Sequence, residues 1–131
     1  MESGRQHLTY LDTHVALWLA NGDVRKLSAT ALATIETSEL RISPLVLLEV
    51  SLLREINRFK VGPQEVRAVL DRDFEVSVCS IPFGDVIEAA LSETWTRDPF
   101  DRLIVAQAKA AGGRLLTKDR RIRENFIGAL W

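Results

Sequence analysis

One cysteine, two histidines and a formal charge of only −1 narrow what this 131-residue sequence can be. The lone Cys79, in the apolar run FEVSVCSI, excludes an internal disulfide and reads as a small buried hydrophobe suited to a reducing interior. With His7, His14 and Cys79 as the only nitrogen and sulfur ligands of their kind, a zinc site lacks its usual donors. The near-neutral balance gives no overall basic field to announce a nucleic-acid partner. Long apolar runs are missing too. The longest stretch, PLVLLEVSLL, is interrupted by Glu49, and the N-terminal MESGRQHLTYLD has no apolar segment. Neither a membrane span nor a signal peptide is expected, and a cytoplasmic location is. No phosphate-binding loop, G-x-G-x-x-G or G-x-S-x-G motif occurs. No Pro/Gly/Ser-rich linker divides the chain, so residues 1–131 are expected to form one domain, burying roughly two-thirds of the unfolded surface.

What is present is alternation. Short apolar or β-branched runs at 7–11, 40–43, 75–80 and 114–117 read as strands, with a short fifth near 128–131. Helical patterns at 13–20, 28–38, 45–58, 63–72, 82–94, 99–111 and 119–126 separate them, opened by Ser28, Pro44, Pro63 and Pro82 and, for the sixth, closed by Gly112 and Gly113. Strands alternating with helices imply βαβ units in a mainly parallel sheet.

Five acidic residues stand out against this frame: Asp12 after HLTYL, Glu49 inside PLVLLEVSLL, Asp98 and Asp101 in RDPFDRLIVAQA, and Asp119 after RLLT. Parallel sheets bind ligands beyond the carboxyl ends of their strands, where carboxylates remote in sequence converge. Hard divalent cations favour such oxygen donors. Glu49 is the sharpest signal, because its helical neighbours Leu45, Val46, Leu52 and Leu53 are all apolar. A carboxylate on a core-facing stripe is expected to be paired with an arginine, protonated or bound to a metal.

Asp98 and Asp101 share a helix face, where like charges repel. Asp98 before Pro99 also matches a helix cap followed by proline at the first helical position. Asp101 lies between Arg97 and Asp98 on one side and Ile104 and Val105 on the other, at the rim of a core, and is the better ligand candidate. Asp12 and Asp119 each fit a capping role as well, before THVALWLA and RRIRENF. Around these carboxylates stand Arg97, Arg102, Lys118, Arg120, Arg121 and Arg123, which would either neutralise phosphates or form a solvated helix face. His14 either faces the carboxylates or packs at its helix start. The reading that unites the set is a metal-dependent phosphodiester hydrolase.

The segments LDTHVALWL, SPLVLLEVSLL, IPFGDVIEAALSE, RDPFDRLIVAQA and LLTKDRRI, in that order, resemble the PIN domain and within it the toxins of the VapC type. The resemblance implies a three-layer α/β/α fold. It implies an endoribonuclease whose acidic quartet, Asp12, Glu49, Asp101 and Asp119, binds Mg²⁺ or Mn²⁺, with Asp98 as an accessory carboxylate. It also implies an RNA substrate, an antitoxin protein partner and a homodimer, with Trp18, Trp95 and Trp131 as candidate surface aromatics. Relatives often carry His where this chain has Thr96.

Two other classes compete. An aspartyl-phosphate phosphatase or receiver-like domain would place a second carboxylate beside Asp12, where this sequence has His14, and leaves Glu49 unexplained. A non-enzymatic binding module would use all five carboxylates as caps and ion pairs.

Overall fold

Strand β1 (His7–Leu11) organises the molecule, pairing in parallel with β2 (Ser38–Ile42) on one side and β4 (Arg114–Leu116) on the other. The computed structural model describes residues 7–131; residues 1–6, part of the N-terminal stretch read above as lacking an apolar segment, lie outside the described residues. Outward from this centre, β3 (Ser77–Val78) pairs with β2, and β5 (Ala129–Leu130) with β4. The sheet is parallel throughout, in the order β3-β2-β1-β4-β5. The chain builds leftward from β1 to β3 and then crosses over to β4. The carboxyl ends of β1 and β4 therefore flank the point where the winding reverses, the usual place for a ligand crevice.

Seven α-helices among the described residues complete a three-layer α/β/α arrangement: α1 (Thr13–Asn21), α2 (Ala29–Thr37), α3 (Pro44–Glu55), α4 (Pro63–Phe74), α5 (Phe83–Ala90), α6 (Pro99–Ala110) and α7 (Arg120–Asn125). A short 3-10 turn at Val24–Lys26, not expected from the pattern, follows α1. Helices α1, α3 and α4 pack on one another, α6 packs on α3, α5 and β4, and α2 lies against β1 and β2. One main core of buried residues joins the layers, among them Tyr10, Leu11, Val15, Leu17, Val46, Val50, Ile104, Val105, Leu115 and Ile122. Cys79 is buried and free, and accepts a hydrogen bond from the Tyr10 hydroxyl at 2.8 Å. No helix among the described residues is long and apolar enough to cross a membrane.

Most expected elements lose a residue or a few at their ends, and two are shortened by four residues or more. The strand expected at 75–80 contracts to Ser77–Val78, because Glu75 adopts a left-handed backbone (φ 54°) to close α4, and the Val76 amide returns to the Leu70 carbonyl. The helix expected at 82–94 stops at Ala90 because Glu93 turns inward. That carboxylate is 3% exposed and accepts from Lys109 Nζ at 2.7 Å and from Trp95 Nε1 at 2.8 Å. Continuing the helix would compete with this buried pairing. The Ala90 carbonyl instead accepts from Arg102 Nη2 at 3.0 Å, which ties α5 to α6.

Candidate active site

Each candidate carboxylate is placed by a local backbone event. Asp12 leaves β1 as the cap of α1, with Oδ1 accepting from the Thr13 amide at 2.8 Å, and its own amide donates to the Leu116 carbonyl at 3.1 Å. Asp119 follows β4 and caps α7, accepting from the Ile122 amide at 3.1 Å. Asp98 caps α6, accepting from the amides of Phe100 and Asp101 at 2.9 and 3.1 Å, with Pro99 in the first turn. Asp101 rides in that first turn, where the positive end of the helix dipole favours an acid. Glu49 projects from the middle of α3.

Asp12, Glu49, Asp101 and Asp119 line one cleft of about 480 Å³, together with His14, Val15, Trp18 and Lys118. Four stretches of chain, at the ends of β1 and β4 and on α3 and α6, thus deliver carboxylates to a single space. Asp98 does not line it. That residue is exposed and engaged as a cap, although its charge is felt by Asp101 and Glu49.

Glu49 corrects the expectation of a core-facing position. Val46 on its face is buried, but Leu52 is 38% exposed, and Glu49 is half-buried at the rim. Its partner is not an arginine: the Thr13 hydroxyl donates to Oε1 at 2.5 Å, and no cation pairs with Glu49 among the described residues. A matching brace holds Asp12. The buried Thr117 hydroxyl donates to Asp12 Oδ2 at 2.5 Å and accepts from the Asp119 amide at 3.0 Å, linking two cleft acids through one side chain. Thr13 and Thr117 were not singled out from the sequence. Small polar residues after strands are common, and only the sheet register reveals what they touch.

Electrostatics mark the four acids as sharing one space. Burial pushes the Asp101 carboxyl up to about 7, with Asp98, Asp12, Asp119 and Glu49 all adding to the rise. Asp12 is raised by burial and by Asp119, against the hydrogen bonds from Thr117 and Thr13. Glu49 is raised by burial and by Asp12 and Asp98, against its bond from Thr13. Burial is the first cause in each case, the neighbouring acids add to it, and nearby His14 opposes the rise at Asp12 and Glu49.

The donor set fits a hard divalent cation in its chemistry: four carboxylates, no thiolate and one imidazole at the cleft. Among the described residues, no three such side chains are yet gathered tightly enough to hold an ion. The hydroxyl and amide bonds just described hold Asp12, Glu49 and Asp119 in this arrangement.

The basic residues divide. Only Lys118 lines the cleft. Arg102 bonds the Ala90 carbonyl, Arg121 bonds the Trp95 carbonyl and lies over the Trp95 ring at 5.8 Å, Arg123 bonds the Lys118 carbonyl at 3.1 Å, and Arg120 pairs with Glu124 at 3.2 Å. Arg120, Arg121 and Arg123 are exposed, so most of the expected phosphate-neutralising flank is the solvated helix face that the sequence also allowed. His14 is exposed and lines the cleft, while its ring also meets Trp18 and Phe59 at about 6 Å. Thr96 is buried and accepts from the Asp98 amide at 3.1 Å.

Comparison with known proteins follows the same lines. The PIN domain family model matches residues 9–125. The chain is 33% identical over 117 residues to Ribonuclease VapC22 of Mycobacterium tuberculosis, covering 88% of this chain and 89% of that protein. Among solved structures, it resembles a toxin-antitoxin complex from Klebsiella pneumoniae with a TM-score of 0.63 at 18% identity, covering 94% of this chain and 96% of the other. VapBC2 from Rickettsia felis, bound to a DNA fragment from its promoter, matches with a TM-score of 0.59 at 16% identity, covering 89% and 92%. At such identities the structural matches speak for the fold.

Proposed function

Because the chain belongs to the PIN domain family, we propose that it is a metal-dependent endoribonuclease, the toxin of a toxin–antitoxin pair, hydrolysing RNA phosphodiester bonds at the four-carboxylate cleft. The observation that carries this reading is the convergence of Asp12, Glu49, Asp101 and Asp119 on one cleft, each from a different segment. Its likeness to Ribonuclease VapC22 of Mycobacterium tuberculosis supports it, as does a fold shared with toxin–antitoxin proteins.

On this reading Asp12, Glu49, Asp101 and Asp119 would hold Mg²⁺ or Mn²⁺, with Asp12 and Asp101 as the principal ligands. Asp98 supports the site as the cap of α6. Bound there, the cation supplies positive charge to the phosphate oxygens and lowers the pKa of a water. The chain's own residues do the rest. Thr117 and Thr13 fix the orientations of Asp12 and Glu49. The raised affinity of Asp101 for a proton means that metal binding competes with protonation at neutral pH. Lys118, at the mouth, offers a counter-charge to the strand's phosphates.

The same reading supplies a partner and an assembly state: an antitoxin that covers the cleft, and a homodimer. The tryptophans are not the free surface for either, since Trp18, Trp95 and Trp131 are half-buried against the core. Exposed apolar side chains lie elsewhere, at Leu48, Leu52 and Ile56 along α3 and its end, and at Phe83, Ile87 and Leu91 along α5 and its end.

A second reading has one observation in its favour: Asp12, Asp98 and Asp119 all cap helices. A binding module would need nothing more of them. Incubation of the protein with RNA in Mn²⁺ or Mg²⁺ separates the two. The nuclease cuts, chelator stops it, and Asp12→Asn and Asp101→Asn are inactive but folded. A binding module cuts nothing and does not melt higher with added metal.

A further inference from the structure

Beside its carboxylates the cleft is lined by Trp18, with His14 one helical turn before it and Lys118 close to its ring. A single half-exposed aromatic residue needs no explanation. This one is more constrained. The Trp18 indole is backed by Trp131, ring centroids 6.0 Å apart and tilted by 58°, and is met by His14 at 6.0 Å. Lys118 Nζ lies 6.0 Å and Lys26 Nζ 5.8 Å from the ring centroid, and neither lysine pairs with a carboxylate among the described residues. Hydrolysis by carboxylates, a cation and water gives an indole no task. A held aromatic ring in the lining of this cleft, with two lysines over it that pair with no carboxylate among the described residues, has the chemistry that binds single-stranded nucleic acid.

We propose that Trp18 is a stacking platform for one unpaired nucleobase flanking the cut phosphate, with Lys118 and Lys26 meeting the adjoining phosphates; this rests on the ribonuclease reading above. The ring pays little conformational entropy on binding because Trp131 and His14 already hold it. A duplex keeps its bases inward, so the platform favours a loop or open strand over paired RNA. Every base has a stacking face, so Trp18 sets strandedness and position more than base identity.

The test uses a single-stranded oligoribonucleotide that the protein cuts, and a series of the same strand with one abasic position moved through the nucleotides around the cut. Binding is read by fluorescence anisotropy with the Asp101→Asn protein in Mn²⁺, and kcat and KM with the protein bearing the native Asp101. One abasic position is expected to weaken binding by about tenfold. Trp18→Leu is expected to lose a similar factor on the intact strand and nothing further on that abasic strand, with the effect in KM and kcat changed by less than about threefold. Trp18→Phe, which keeps an aromatic ring against Trp131, should recover most of the loss and serves for the cycle if the leucine variant does not fold. Equal binding of the intact strand and every abasic strand overturns the proposal, and that comparison needs no change at Trp18. Losses that multiply instead of overlapping also overturn it, and point to an aromatic residue that serves packing or a protein partner. If no RNA is cut, the ribonuclease reading fails; an uncut single-stranded oligoribonucleotide with the abasic position moved along its whole length, bound to the protein with Asp101 intact and to Trp18→Leu, still decides whether Trp18 stacks a base.

Discussion

Asp101 concentrates the conflict in the cleft: half-buried, it is pushed from 3.8 up to about 7 by burial first and then by Asp98, Asp12, Asp119 and Glu49. Between those two values the folded chain holds a proton that the unfolded chain has released. Metal-free stability must therefore fall as pH rises across that window, and the loss is complete above about 7. Asp12 and Glu49, raised in the same direction, add to the fall. Thermal melts in chelator from about pH 4 to about pH 8 should show it, and Asp101→Asn should flatten the curve and melt higher than the native chain at the alkaline end. A metal-free melting temperature that rises across this range would mean that the acids are paired with cations instead. Glu49→Gln keeps an acceptor for the Thr13 hydroxyl while removing a charge. Its metal-free melting temperature should equal or exceed the native value, and the rise produced by Mn²⁺ should shrink. The acids themselves were legible in the sequence because a carboxylate within an apolar stripe, or after a strand, is conspicuous. The Thr13 and Thr117 braces were not, because they depend on partners 36 and 105 residues away.

Helix α6 shows how one element sets the site. Asp98 and Pro99 start it, Asp101 faces the cleft, Ile104, Val105 and Ala108 anchor it in the core, and Lys109 reaches back to Glu93. The segment between α5 and α6 is held by that pair and by the Trp95 indole, so the start of α6 is fixed from behind. The two partners are not equivalent. Lys109 is 38% exposed and can turn to water, whereas the Glu93 side chain is 4% exposed and cannot. Lys109→Met, which strands a buried charge, should cost about 3 kcal/mol or more. Glu93→Gln, which still accepts from Trp95, should cost only about 1 kcal/mol. Urea denaturation of both variants checks the order; a larger loss in Glu93→Gln would contradict it. Helix and strand positions were largely readable from caps, prolines and periodicity. The exceptions were the ends set by tertiary pairing, as where Glu93 cuts α5 short and where β3 survives as Ser77–Val78 only because β2 is there to receive it.

For the whole molecule, a parallel sheet that winds outward from β1 in both directions leaves a crevice at the carboxyl ends of β1 and β4. Asp12 and Asp119 follow those strands, and α3 and α6 bring Glu49 and Asp101 to the same opening. On the proposed function this cleft cuts RNA with a metal-activated water. The rival chemistry within the same cleft uses the strand's own 2′-hydroxyl with histidine acid–base help, and His14 lines the cleft wall. The ends of the cut fragments separate the two most directly. In Mn²⁺ or Mg²⁺ a metal-activated water should leave 5′-phosphate and 3′-hydroxyl ends, with cleavage that stops in chelator and most activity retained in His14→Ala. Fragments with 5′-hydroxyl ends, formed in chelator and lost in His14→Ala, would contradict it.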